Sequence, residues 1–213
     1  MNIIGHAILM VTMLVFPVIS NAETEQLFNG HDLTGWKHVG DGRFVVESGL
    51  LHPEGGVGIL WFEGMKVGDA VIRVVYQAKS TQDNSGVFVR IPDPPENQWM
   101  PVDKGLEVQI NDAEESDYYR TGSIYTLSKA VSRPGRVGEW NTMEITLDGL
   151  RTMVHINGVL VADYTEGDSV PPKKHDWDPE RGPRPKSGYV ALQNHPYGKS
   201  VYFREVSIRS LNQ

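Results

Sequence analysis

The sequence predicts an all-β fold, a sandwich of two antiparallel sheets or a barrel. Three observations carry that expectation. Short β-branched or alternating segments recur along the chain after Glu23, turn-forming residues separate them, and no segment keeps a 3.6-residue period over a dozen positions. Such a pattern leaves sheets, not helices, to bury the apolar side chains.

Val71–Lys79 (VIRVVYQAK) is rich in β-branched residues. It is bounded by Gly68-Asp69 and by Asp83-Asn84-Ser85-Gly86. Val87–Ile91 follows, closed by the loop Pro92-Asp93-Pro94-Pro95. In Leu106–Ile110 the apolar Leu106, Val108 and Ile110 face one way, and Glu107 and Gln109 the other. Met143–Leu147 alternates as well. Asp148-Gly149 and Asn157-Gly158 predict type I′ turns, which need positive φ at both central positions. They join Met143–Leu147, Thr152–Ile156 and Val159–Tyr164 into a meander. Gly188–Gln193 and Ser200–Ser210 are the last two strands. Glu166–Lys186, Pro- and charge-rich around Trp177, exceeds the usual structureless loop, which marks it as functional or mobile.

A chain of 213 residues with 39% hydrophobic and 22% charged residues has an ordinary globular composition, long enough for one sandwich domain. Its formal charge of −7, with no basic run, excludes the electrostatic footprint of a nucleic-acid binder. An anionic membrane surface is an equally poor partner. The absence of cysteine excludes disulfides, thiolate metal sites and a thiol nucleophile.

The first 22 residues contain no Asp, Glu, Lys or Arg, and the apolar run Ile8–Ile19 ends in Ser20-Asn21-Ala22. The run is short against the roughly 20 residues of a membrane span, so a signal peptide cleaved after Ala22 is expected. The mature domain, residues 23–213, is then periplasmic or secreted, with no membrane partner after cleavage. Oligomeric state is not readable from the sequence.

Leu27-Phe28-Asn29-Gly30-His31-Asp32-Leu33-Thr34-Gly35-Trp36 opens the mature chain. Ser85-Gly86-Val87-Phe88-Val89-Arg90 and Gly105-Leu106-Glu107-Val108-Gln109-Ile110 follow. Thr121-Gly122-Ser123-Ile124-Tyr125 and Gly138-Glu139-Trp140-Asn141 come next. Gly188-Tyr189-Val190-Ala191-Leu192-Gln193-Asn194-His195 with Val201-Tyr202-Phe203-Arg204 close it. In order and spacing these stretches resemble the 3-keto-disaccharide hydrolase family, also described as 3-keto-glucoside 1,2-lyase/hydratase domains. The resemblance runs from about Gln26 to Leu211. It implies a concanavalin-like jelly-roll β-sandwich, export, and a carbohydrate substrate or ligand.

In a 3-keto sugar the C3 carbonyl acidifies the C2 hydrogen. A site acting on one needs a base at C2, a donor for the developing enolate oxygen and an acid for the leaving group. Glu107 is the first candidate base, on the same strand face as Gln109. His195, at the end of the Gly188–Gln193 strand, is the second, because imidazole transfers protons near neutral pH. Gln193, two residues earlier, is placed to bind a sugar oxygen. Tyr125 and Lys129 are candidates to stabilise the enolate, although a solvated lysine is the plainer reading of Lys129. Arg90 is either an orienter of Glu107 or structural. Trp99 and Trp177, in loops, are candidates to stack on a pyranose face, whereas Trp36 and Trp140 are expected in the core. Trp61 fits either place.

Asp112, Glu114, Glu115 and Asp117 form an acidic cluster that matches no EF-hand spacing, and a solvated turn is its simpler reading. No cofactor is implied, with a divalent cation left open. A non-catalytic carbohydrate-binding module on the same fold is the alternative to an enzyme. A laminarinase-type glucanase is disfavoured, because Glu107-Val108-Gln109-Ile110-Asn111-Asp112 lacks the paired carboxylates that two-carboxylate hydrolysis needs.

Overall fold

The computed structural model describes residues 23–195 and 200–211. The expected signal peptide and its cleavage after Ala22 lie outside the described residues. Before the short helix come β1 (Thr24–Gln26), β2 (Trp36–Gly40), β3 (Arg43–Glu47), β4 (Leu50–Glu54), β5 (Gly58–Phe62), β6 (Ala70–Ala78) and β7 (Asn84–Ile91). Helix α1 (Met100–Lys104) leads into β8 (Leu106–Asn111), β9 (Asn141–Asp148), β10 (Arg151–Ile156), β11 (Val159–Thr165), β12 (Tyr189–Asn194) and β13 (Val201–Ser210).

The strands form two antiparallel sheets. The larger has the order β11-β10-β9-β6-β13-β4-β3, with β1 also paired to β13, and the smaller has the order β2-β5-β12-β7-β8. The alternation read in Leu106–Ile110 is what packs them. Leu106, Val108 and Ile110 of β8, with Val87, Val89, Leu60 and Leu192 from neighbouring strands, belong to the main core. Ile72, Val74, Met143, Ile145, Val154 and Phe203 of the larger sheet meet them there. The opposite, outward face of the smaller sheet carries its own apolar cluster of Ile59, Trp61, Phe88, Ile91 and Ala191, against which Met100 and Val102 of α1 pack. Trp61 thus falls in a core after all, but the outer one.

The meander forms as expected. Asn157 and Gly158 both have positive φ and join Ile156 to Val159, the pairing of a type I′ turn. The other hairpin differs. Asp148 pairs with Arg151, so the turn residues are Gly149 and Leu150, and only Gly149 has positive φ. That is the type II′ pattern, one residue on from the expected Asp148-Gly149 pair.

The expectation for Trp36 is met and that for Trp140 is not. Trp36 is buried and its indole N–H donates to the Leu27 carbonyl at 2.7 Å. Trp140 is only partly buried and lies under the Arg204 guanidinium, 4.8 Å from the ring centre. The long 166–186 segment is tied down at several points. Arg184 donates to the carbonyls of Gly105, Asp103, Glu180 and Gly182. Lys104 pairs with Glu180 at 2.7 Å, and Asp178 accepts from the Lys174 and His175 amides. These bonds fasten the segment to the α1–β8 junction, beside the outer face of the smaller sheet.

Candidate functional site

The site grows from strand register. Glu107 pairs with Phe88, Phe88's neighbour on β12 is Ala191, and Ala191 pairs with Trp61. One step along, Gln109 pairs with Gly86 and Gln193 with Ile59. The Leu192–Val87 pairing, continued by one residue, sets Gln193 beside Gly86. Because side chains alternate with period 2, Glu107, Gln109 and Gln193 share the outward face of the smaller sheet. Asn84, two residues before Gly86, joins them.

The free edge of β8 is extended by irregular chain. The Gln109 amide donates to the Ser123 carbonyl at 3.0 Å, Gly122 donates to Gln109 at 2.8 Å and Tyr125 donates to Glu107 at 2.9 Å. These backbone bonds carry Tyr125 to the side of Glu107. A turn then reverses the chain: Ser128 and Ile124 exchange backbone bonds, and Thr126 takes a left-handed φ of 61°.

The result is one cavity of about 410 Å³ lined by Asn84, Trp99, Val102, Glu107, Gln109, Tyr125, Trp177, Gln193 and His195. Seven residues singled out in the sequence meet there. Trp99 and Trp177 are 54% and 65% exposed, and His175 stacks flat on Trp177 with centroids 4.4 Å apart. The floor is polar and closed. Glu107 is 6% exposed, and its Oε1, like Asn84 Oδ1 and Gln193 Oε1, is buried with no hydrogen-bond partner. Buried acceptors left unmade are costly, so three around one cavity mark a place where a hydroxylated ligand fits.

Electrostatics follow from the burial. Desolvation pushes the Glu107 carboxyl up to about 8, and among the described residues no cation stands beside it to favour the charged form. Tyr125 is also raised, first by burial and then by the nearby negative charge of Glu107, so its phenol keeps its proton and stays a donor. Gln109 Oε1 accepts from the Ile110 amide at 3.0 Å.

Two sequence candidates lie elsewhere. Simple alternation would set Arg90 on the cavity face with Phe88. A register shift between Tyr189 and Ala191 instead leaves a bulge opposite Val190, and Arg90 sits in it at φ 56°. The bulge turns Arg90 inward, fully buried. There Nε donates to Thr152, Nη1 to the Pro185 and Lys186 carbonyls, and Nη2 to those of Gly149 and Arg151. Lys129, carried past the reversal at Thr126, lines a separate surface cavity with Asp117 and Arg133. Asn84 is the polar lining residue that sequence reading left in a turn. Its signal was available: the Phe88–Gly86–Asn84 spacing continues the same strand face.

The acidic stretch does not gather into a cation cage. Asp117 pairs with Arg133 at 3.3 Å and lies 3.6 Å from Arg120. Among the described residues no group of three or more His, Asp or Glu side chains converges. Among the described residues Glu107 is the one carboxylate lining the cavity, with Gln109 where a second would stand in a glucanase.

A family model described as the 3-keto-alpha-glucoside-1,2-lyase-like domain matches residues 23–209. The comparison with curated proteins returns no match. Two solved structures from Parabacteroides distasonis, both provisionally named glycosyl hydrolases, share the fold. One is 23% identical with a TM-score of 0.73, covering 89% of this chain and 94% of its own. The other is 24% identical with a TM-score of 0.70, covering 89% and 100%. A Bacillus subtilis protein of unknown function with a galectin-like fold aligns at 11% identity and a TM-score of 0.64, covering 88% and 94%.

Proposed function

Because the chain belongs to the 3-keto-alpha-glucoside-1,2-lyase-like domain family, we propose that it cleaves 3-keto glycosides by β-elimination in the Glu107 cavity. The observation that carries the reading is the Glu107 carboxyl. It is buried, has an oxygen without a partner, faces a cavity walled by two exposed tryptophans, and is held near 8 by desolvation. A carboxyl raised this far is a stronger base once ionised, matched to a weakly acidic C–H.

The sugar stacks against Trp99 and Trp177 and offers its hydroxyls to Asn84, Gln109 and Gln193. Glu107 takes the C2 proton. The electron pair passes to the C3 oxygen as an enolate, which the Tyr125 hydroxyl stabilises by donating a hydrogen bond. As the C3 carbonyl re-forms, the C1=C2 bond forms and the C1–O bond breaks. His195 gives its proton to the departing oxygen. The products are a 3-keto-2-hydroxy-glucal and the free aglycone, and a later addition of water across C1=C2 gives the 3-keto sugar. Export under a signal peptide removed after Ala22 belongs to the same proposal, and N-terminal sequencing of exported protein should begin at Glu23.

The test is to incubate the mature protein with an aryl 3-keto-glucoside and with its unoxidised parent. Aglycone release from the keto form alone is the expected result. Equal release from both overturns elimination in favour of ordinary hydrolysis. Binding without release from any keto glycoside makes the protein a carbohydrate-binding module.

A further inference from the structure

We infer that Gly86 is a positioning residue of the site, its missing side chain being the space in which the Glu107 carboxyl is seated. The inference rests on the reading of Glu107 as the base, and its geometry stands apart from that reading. Gly86 lies in the interior of β7, paired with Gln109 on one side and beside Gln193 on the other. A strand-interior glycine ordinarily weakens a strand, so it calls for a reason. Backbone conformation is not that reason, because Gly86 is absent from the positive-φ glycines.

The reason is steric. A Cβ at Gly86 would stand 2.2 Å from Glu107 Oε1, 2.8 Å from its Cγ and 2.9 Å from its Cδ, and these are the three nearest atoms. The Glu107 side chain therefore leans across the sheet onto the bare backbone of β7, between the two glutamine side chains. That is how a carboxyl becomes almost wholly withdrawn from water while still lining an open cavity. A methyl group at residue 86 would fill the seat. With the sheet closed beneath, the carboxyl could move only outward, into the cavity and toward solvent.

The first arm of the test needs no substrate. Thermal unfolding is compared for the parent, Gly86→Ala, Glu107→Ala and the double variant. At pH 5, where the seated carboxyl is protonated and its burial costs little, Gly86→Ala should lower Tm in the parent background and leave it unchanged or raise it in the Glu107→Ala background, where all three colliding atoms are gone. Equal Tm changes in both backgrounds would overturn the inference. The second arm follows the Glu107 carboxyl in ligand-free protein by infrared difference spectroscopy. In Gly86→Ala its midpoint should move down toward the ordinary carboxylate range, and an unmoved midpoint would overturn the seat. The third arm uses the 3-keto glucoside. Turnover should fall on the order of a hundredfold, as expected for a group displaced by about an ångström, with KM changing much less. Parental turnover in Gly86→Ala would also contradict the inference. If the parent protein releases no aglycone, the elimination reading falls, while the first two arms still decide the role of Gly86.

Discussion

Arg90 and Glu107 sit on adjacent strands of one sheet, and both are almost completely withdrawn from water. They are treated in opposite ways. Arg90 has spent all five of its N–H donors on Thr152 and four backbone carbonyls. Among the described residues, Glu107 keeps an oxygen with no partner and has no cation to offset its burial. A saturated buried charge can only hold structure: Arg90 ties the Gly149 hairpin and the Pro185-Lys186 end of the long segment to β7. An unsaturated one costs stability, and the cost is recovered only when something arrives to use it. The bulge decides which residue takes which part, since without it Arg90 would face the same cavity as Glu107 and draw its carboxyl down.

Substitutions at the two positions should therefore fail differently. Glu107→Gln keeps the shape and removes the base. It should lower turnover on a 3-keto glucoside on the order of 10²–10⁴-fold without abolishing sugar binding. The pH profile of parental activity, by contrast, should carry an ionisation near 8 from the Glu107 carboxyl that disappears in Glu107→Gln. The same ionisation kept in Glu107→Gln would remove Glu107 from the chemistry. Arg90→Met should act on stability. It orphans a set of buried acceptors and should cost about 3–5 kcal/mol in denaturant unfolding. An unchanged midpoint would remove Arg90 from the framework.

The smaller effect is the pH dependence of stability. The folded-state pKa of Glu107 is raised above its unfolded value, so the native state binds the extra proton. The stabilisation from the protonated form is complete below the unfolded value of about 4.5 and is lost as pH rises toward about 8. Glu107→Gln, fixed in a neutral form, should match the parent near pH 4. It should become the more stable protein by a few kcal/mol at pH 8 and above. Parallel stability curves would show that burial does not strain Glu107.

The sequence already carried much of this. Alternation in Leu106–Ile110 separates a core face from a ligand face within one strand, so Glu107 and Gln109 were legible from a few residues. Gln193 was legible for the same reason. Arg90 was not, because a bulge is a mismatch between two strands, and no single strand's alternation records it. Lys129 is four residues from Tyr125 and yet points elsewhere. The reversal there depends on a left-handed Thr126, a residue type that does not announce one. Strands β1 to β5 are short and interrupted by Gly40, Pro53 and Gly55, which hides their period. Gly86 looked like the end of a turn, since the sequence alone cannot show what lies against its Cα.

The most direct test of the account is the rate of aglycone release, in a single turnover with enzyme in excess, from a 3-keto glucoside carrying protium or deuterium at C2. If an unpartnered Glu107 removes that hydrogen as the bond to the aglycone is set free, the deuterated substrate should be released more slowly. The difference should grow as pH rises through about 8, as the carboxylate forms. Identical single-turnover rates for the two isotopologues across that range would contradict proton abstraction at C2 as the step the cavity performs.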